Sequence, residues 1–177
     1  MQIPTIIFKD FVQLPDDERA YFEQMISYTD PMPVDCMQWE FGRVKEVQML
    51  IQKGDVKYSD LLDIIKAKVN KQALYLPFHI VLQLWAGINQ SIERITKLES
   101  DAMAGRVSAV DTIAMEKVGG FERFGRLPEI LSLAERFHCD YDKAWKIEWH
   151  IAFSTLYYYT KVNEYIRERD ELILQQK

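Results

Sequence analysis

The longest regular run of apolar residues follows Pro77. Its members are three and four positions apart in alternation: Phe78, Val81, Trp85, Ile88, Ile92 and Ile95. This spacing places all six on one face of an α-helix, and proline is favoured in the first turn of a helix. We therefore predict a long helix from Pro77 onward, whose stripe is buried against another long helix.

Shorter segments with the same helical period predict the remaining helices. They are bounded by residues that start or stop helices, such as prolines and acids in the first turn, Gly54 or Gly119 past the last turn, and Asp140 as an N-cap. In chain order, the predicted helices cover residues 14–30, 36–52, 59–69, 107–118, 127–137 and 141–171. The pattern predicts an all-α fold, a single compact bundle of six or seven helices.

The N-terminal residues 3–11 have a weaker pattern. Apolar and polar positions alternate loosely there, which fits a short strand or an extended arm, and the pattern does not choose between the two. We expect residues 1–177 to form one domain. Small and polar residues at 100–106 indicate a subdivision near the middle of it.

Composition narrows the class of protein. Hydrophobic residues make up 48% of the chain, and glycine and proline number only 7 and 6, which favours a globular helical protein over an all-β one. The net charge of −5 gives no electrostatic reason to bind nucleic acid. No apolar run approaches the ~20 residues of a membrane span, and the N-terminus lacks the pattern of a signal peptide. We expect a cytoplasmic protein whose Cys36 and Cys139 are free thiols.

The sequence contains no recognisable catalytic or metal-binding motif. It has no glycine-rich phosphate loop, no HExxH and no GxSxG. His79 has no second histidine at helical spacing, and His150 follows Glu148 by two positions, which on a helix turns the two side chains apart. We predict no catalytic residue, no metal and no cofactor. If the chain were an enzyme, His138, Cys139 and Asp140 would be the candidates for its site.

Aromatic residues are concentrated in the last predicted helix, whose inner stripe is expected to comprise Trp145, Trp149, Ala152, Leu156 and Tyr159. Tyr157, Tyr158 and Tyr159 together span about 200° of the helix circumference, so the three rings cannot share one face. Tyrosine is favoured in protein interfaces because it brings a large contact area at a small entropic cost. We hypothesise a partner-binding site of Tyr157, Tyr158, Lys161 and Glu164. The alternative is that Tyr157 packs under residues 119–125.

The order of several segments resembles that of tailed-bacteriophage tail-assembly chaperones. The segment GGFERFG (119–125) is followed by ILSLA (130–134), YDKAWK (141–146), AFSTLY (152–157) and EYIRER (164–169). The stretch from GRVKEVQ (42–48) through Gly54 to LLDI (61–64) is similar to the middle part of the same proteins. Together the two stretches cover about half of the chain. The N-terminal arm and the first predicted helix have no counterpart in the family.

The resemblance implies a small helical protein that binds the tape-measure protein before the tail tube polymerises. It implies no catalytic residues, and partners that are other phage tail or virion proteins, in the host cytoplasm. The arm leaves a second role open, a structural component of the virion in the neck, tail or head interior. A small cytosolic enzyme with a Cys/His-based site is the third interpretation, and self-association of the chain is left open.

Overall fold

The computed structural model describes residues 7–11, 13–15, 30–54, 56–103 and 127–175 of the 177-residue chain. Within these ranges the regular structure is helical, with isolated β-bridges but no strand. The all-α class predicted from the sequence is confirmed. The described helices are α1 (Phe8–Phe11), α2 (Phe41–Lys53), α3 (Tyr58–Lys68), α4 (Phe78–Met103), α5 (Leu127–Arg136), α6 (Tyr141–Trp145) and α7 (Trp149–Gln175).

The chain divides into two compact units. The first comprises residues 1–39 and 44–96, and the second comprises residues 40–43 and 97–177. Helices α2 and α4 therefore each contribute residues to both units. Whether the two units act as one domain, as the sequence predicts, stays a prediction. The helix predicted over 107–118 and the segment 119–125 lie outside the described residues. Of the helix predicted over 14–30, only Leu14, Pro15 and Asp30 are described.

The stripe predicted on α4 is buried. Five of its six members are less than 3% exposed, while Trp85 is half-buried and Leu84 beside it is buried instead. Burying aliphatic and aromatic side chains in this way is the main stabilising contribution to a fold of this size. The pairing of this stripe with another long helix stays a prediction. The helix continues through Ser100 to Met103, so the interruption predicted from residue 100 onward does not begin there.

The described part of the N-terminal arm is neither a strand nor an extended segment. Ile7 forms an isolated bridge with Pro77, and residues Phe8–Phe11 then make one helical turn. Phe8 and Phe11 are fully buried, and the ring of Phe11 stacks on that of Phe78 with centroids 3.4 Å apart. A single turn brings positions i and i+3 to the same side, which is why this conformation buries both rings.

The second predicted helix starts later than its pattern indicates. Residues Cys36–Gln38 form one 3₁₀ turn capped by Asp35, and α2 begins at Phe41. Between them Glu40 is extended and forms an isolated bridge with Glu148, and the Phe41 N–H donates to the carbonyl of Ile147 at 2.6 Å. Gly54 follows the last turn of α2 at a φ of 70°, which is the left-handed cap predicted for it.

The last predicted helix is two helices. Asp140 caps α6, as predicted, by accepting a hydrogen bond from the Lys143 N–H at 2.8 Å. The helix ends at Trp145, because the backbone at residues 147–148 pairs with residues 40–41 instead of continuing the helical ladder. Helix α7 starts at Trp149, so Trp145 does not belong to the inner stripe predicted for the final helix. Helix α5 packs against both α6 and α7 and buries Ile130 and Leu133.

Candidate protein interface

The residues that would serve an enzyme form helix caps. His138 has a φ of 48° at the end of α5. Its N–H donates to the carbonyl of Glu135 at 3.3 Å, and the Cys139 N–H donates to that of Ala134 at 3.0 Å. These two bonds define a Schellman motif, in which a left-handed residue closes the helix. His138 and Cys139 therefore terminate α5, and Asp140 starts α6.

No metal site is formed by the residues that the structure describes, since no group of three or more histidine, cysteine or acidic side chains converges among them. His150 and Glu148 do approach each other, with Nδ1 and Oε2 3.4 Å apart. The expected divergence of these two side chains is wrong, because Glu148 precedes the first turn of α7 and does not follow helical geometry. Both side chains are about half exposed, so water screens the pair.

Three aromatic rings form a ladder along α7. The ring centroids of Trp149 and Phe153 are 4.8 Å apart with a 10° interplanar angle, and those of Phe153 and Tyr157 are 6.1 Å apart with an 8° angle. The residues are four positions apart, which is one helical turn. Trp149 is buried, Phe153 is half-buried and Tyr157 is 42% exposed. The ladder therefore runs from the core to the surface, and Tyr157 is its outermost ring.

An ion pair lies beside this outermost ring. Lys161 Nζ is 2.6 Å from Glu164 Oε2, and the same Nζ is 5.7 Å from the centroid of the Tyr157 ring. The hydrogen bond to Glu164 raises the pKa of Lys161. The arrangement presents an exposed aromatic ring with the Lys161 ammonium over it, and Glu164 holds that ammonium. We call Tyr157, Lys161 and Glu164 the ladder face.

Tyr158 points away from the ladder face. Its ring meets that of Tyr159 edge-on with centroids 5.3 Å apart, and the guanidinium of Arg136 lies 3.8 Å from the centroid of the Tyr159 ring. A groove of about 390 Å³ lies here between the end of α5 and the middle of α7. The residues that line it are Arg136, Phe137, Ser154, Thr155, Tyr158 and Tyr159. The four residues hypothesised from the sequence thus belong to two faces of α7.

The C-terminal half of α7 carries exposed apolar side chains that the sequence analysis did not single out. They are Tyr165, Ile166, Leu172, Ile173 and Leu174. Two of them, Tyr165 and Leu172, continue a run of positions seven residues apart that begins with Ile151 and Tyr158. All four residues of this run are at least 41% exposed. A search for seven-residue spacing would have found this run. It was missed because the adjacent charged residues indicate a solvated helix end.

Comparisons of the chain with protein-family models, with curated proteins and with solved structures found no match. Among the described helices, none combines the length and the apolar character that crossing a bilayer requires.

Proposed function

We propose that the chain is a non-enzymatic protein-binding protein of bacteriophage assembly, which binds the tape-measure protein as the tail-assembly chaperones do. The observation that carries the proposal is the exposed Tyr157 ring at the end of the Trp149–Phe153–Tyr157 ladder. The setting in phage assembly rests on the resemblance of segment order, and the protein-binding role rests on the ladder face.

The geometry of the ladder face suits a protein contact. Stacking on Phe153 holds the Tyr157 ring in one orientation, so little side-chain entropy remains to be lost when a partner covers it. Interface hot spots combine a large aromatic anchor with surrounding polar residues that exclude water. Lys161 and Glu164 provide such a rim on one side of the ring. An apolar side chain of the tape-measure protein would cover Tyr157, with charged neighbours beside this rim.

The backbone roles of His138, Cys139 and Asp140 support the non-enzymatic interpretation over a Cys/His-based enzyme. Left-handed backbone at His138 and the hydrogen bonds of the two caps account for these three residues without catalysis. The structural virion component remains the second candidate. It differs from a chaperone in one observable property, because a virion component is present in purified mature particles and a chaperone is not.

The test is capture of purified tape-measure protein by the immobilised chain. Tyr157→Ala should weaken binding by about 1–3 kcal/mol, or roughly 5- to 150-fold in Kd. Tyr75→Ala is the matched control, because Tyr75 is 67% exposed and lies outside α7. This control should bind as the wild type does. Both variants should keep the wild-type melting temperature within about 2 °C, since each removes a surface ring.

Two results would contradict the proposal. Absence of binding by the wild-type chain would remove the tape-measure protein as partner. A Tyr157→Ala variant that binds normally but unfolds several degrees earlier would show that the ring serves stability alone.

A further inference from the structure

One face of α7 carries a stripe of mostly apolar residues, which includes the charged Arg169 and is interrupted by Ser154 and Thr155. At 100° per residue its members fall within an arc of about 120°. They are Ile151, Tyr158, Val162, Tyr165, Ile166, Arg169, Leu172 and Ile173, and all except the half-buried Val162 are exposed. We call these residues the α7 stripe. Contiguous exposed apolar patches mark interaction sites, whereas apolar residues scattered singly over a surface do not.

The spacing along the α7 stripe is that of a coiled coil. Ile151, Tyr158, Tyr165 and Leu172 repeat every seven residues, and Val162 and Arg169 precede the last two of them by three. These are the d and a positions of a heptad, respectively. The occupant that matches such a seam is another helix with the same repeat. We propose that the occupant is the same segment of a second copy of this chain, in antiparallel orientation.

Arg169, whose guanidinium is ion-paired with Asp170 at 2.9 Å, favours one orientation. In a parallel pair in register, Arg169 would lie against Arg169 of the second copy in the seam, where like charges repel. In an antiparallel pair, a positions face d positions. With Val162 opposite Tyr165, Arg169 then lies opposite the ring of Tyr158. A guanidinium over an aromatic ring is a favourable contact. The two-fold symmetry of the dimer produces this contact twice.

The charges beside the seam select the same register. Lys161 and Glu168 are the g positions of successive heptads. In antiparallel coiled coils g faces g, so this register places Lys161 of each copy beside Glu168 of the other, giving two ion pairs. The e positions give apolar contacts, with Tyr159 opposite Ile166. A shift by one heptad would instead place Glu168 against Glu168 and lose both ion pairs.

The groove beside Tyr158 fits the end of the second helix. In this register Leu172 of the second copy lies opposite Thr155, which lines the 390 Å³ groove together with Phe137 and Tyr158. The exposed Phe137 ring would then be covered by the apolar residues 172 and 173 of the second copy. The groove and the α7 stripe therefore form one continuous surface.

The area is sufficient for a reversible dimer. Tyr158 and Tyr165 are 62% and 64% exposed, so the four rings of a dimer would bury about 400–600 Å². The aliphatic residues of the stripe raise the total to about 1,000 Å², the lower limit for a specific interface. We expect dimerisation in the micromolar range. This inference goes beyond the proposed function and centres on the α7 stripe, outside Tyr157; Lys161 and Glu164 border both faces.

The test is sedimentation equilibrium of the full chain between about 1 and 300 µM. The wild type should show a concentration-dependent monomer–dimer equilibrium. Lys161→Glu and Glu168→Lys should each weaken the dimer at least fivefold, because each places two like-charge pairs at the rim. The double variant K161E/E168K should recover wild-type affinity within about twofold. Glu171→Lys, an exposed charge reversal outside the stripe, and Tyr157→Ala are the controls and should dimerise normally.

Each of the following three outcomes would overturn the inference. A wild type that stays monomeric to 300 µM shows that a different molecule, or none, covers the α7 stripe. A dimer that neither single reversal weakens has another interface. A dimer that both reversals weaken but the double variant does not restore has another register or orientation. Far-UV circular dichroism of each variant confirms that the helices are intact. Because Tyr157→Ala keeps the dimer, failure here and failure of tape-measure binding are separate results.

Discussion

The indole Nε1 of Trp149 donates a 2.7 Å hydrogen bond to Oε1 of Glu99, fifty residues earlier in the chain. Trp149 is 2% exposed, so its N–H has lost contact with water and needs a partner inside the protein. Glu99 provides that partner from the last turns of α4. The base of the aromatic ladder is therefore held in place from both sides, by Phe153 and by this hydrogen bond.

Removing this acceptor should destabilise the protein. Glu99→Ala leaves the buried indole N–H without its partner, and we expect a loss of about 1–3 kcal/mol in the free energy of unfolding. Glu99→Gln keeps an acceptor oxygen and should lose less. Glu93→Ala, at an exposed position of the same helix, is the control and should change stability by less than about 0.5 kcal/mol. Urea denaturation followed by circular dichroism measures all three, and equal losses for Glu99→Ala and Glu93→Ala would contradict the expectation.

Ile88 should be a major contributor to the stability of the first unit. It is fully buried in the middle of the α4 stripe. Ile88→Ala should cost about 2–4 kcal/mol, because it removes buried apolar groups and leaves a cavity. The matched control is Leu98→Ala on the same helix, where the side chain is 39% exposed and the cost should be much smaller. A loss below about 0.5 kcal/mol for Ile88→Ala, measured in urea, would be incompatible with this burial.

Gly87 should resist replacement although it lies within a helix. The segment before α2 lies against α4 here, with the Met32 N–H donating to the carbonyl of Gln83 at 3.0 Å. A Cβ at position 87 would overlap the backbone oxygen of Met32. Because this atom belongs to the backbone, it cannot move aside as the end of a flexible side chain could. Gly→Ala at an ordinary helical position stabilises by about 1 kcal/mol. Here we expect a loss of about 1–3 kcal/mol, as for other overpacked sites.

Thermal unfolding followed by circular dichroism checks the Gly87 expectation. Ser100→Ala, at an exposed position near the end of the same helix, is the control and should leave the melting temperature nearly unchanged. A Gly87→Ala variant that melts higher than the wild type would show that the Met32 segment can move away without cost.

The stability of the protein should fall at alkaline pH through Cys36. Burial raises the pKa of the Cys36 thiol from 9.0 to about 11. As the pH rises, the Cys36 thiol ionises at a lower pH in the unfolded chain than in the folded one. Between pH 9 and 11 the unfolded state therefore releases this proton more readily, which stabilises it relative to the folded state. The contribution of the buried Cys36 thiol to the free energy of unfolding is complete below pH 9 and is lost as the pH rises through about 11.

A comparison with Cys36→Ala isolates this effect from the other groups that titrate in the same range. The wild type should be the more stable protein at pH 8, and its advantage in melting temperature should shrink steadily between pH 9 and 11. Reducing agent is kept present because both cysteines are free thiols. A difference between the two proteins that stays constant over this range would refute the assignment.

The sequence determined those features that depend on local pattern. The period of α4, its start after Pro77, the Gly54 cap and the Asp140 N-cap all follow from rules that act within a few residues, and each is found in the structure. Burial of the α4 stripe also follows from the sequence pattern, because a helix with one apolar face is stable when that face packs against the rest of the protein and its polar face meets water. Helical geometry also showed that the three neighbouring tyrosines cannot share one face, since adjacent helical residues differ by about 100°. The sequence nevertheless grouped Tyr157 and Tyr158 in one site, and the structure divides them between two faces of α7.

The tertiary structure decided those features of the fold in which pairing between distant segments overrides the local helical preference. The pattern of residues 141–171 is continuously helical, yet the helix is interrupted at 146–148, where residues 147 and 148 pair with residues 40 and 41. The helical turn at Phe8 depends in the same way on Phe78, seventy residues later in the chain. The residues of the ladder face were already candidates from the sequence, but only the structure shows that the Tyr157 ring is exposed. Sequence spacing shows which residues share a helix face, but whether that face meets water or protein depends on every other segment that packs nearby.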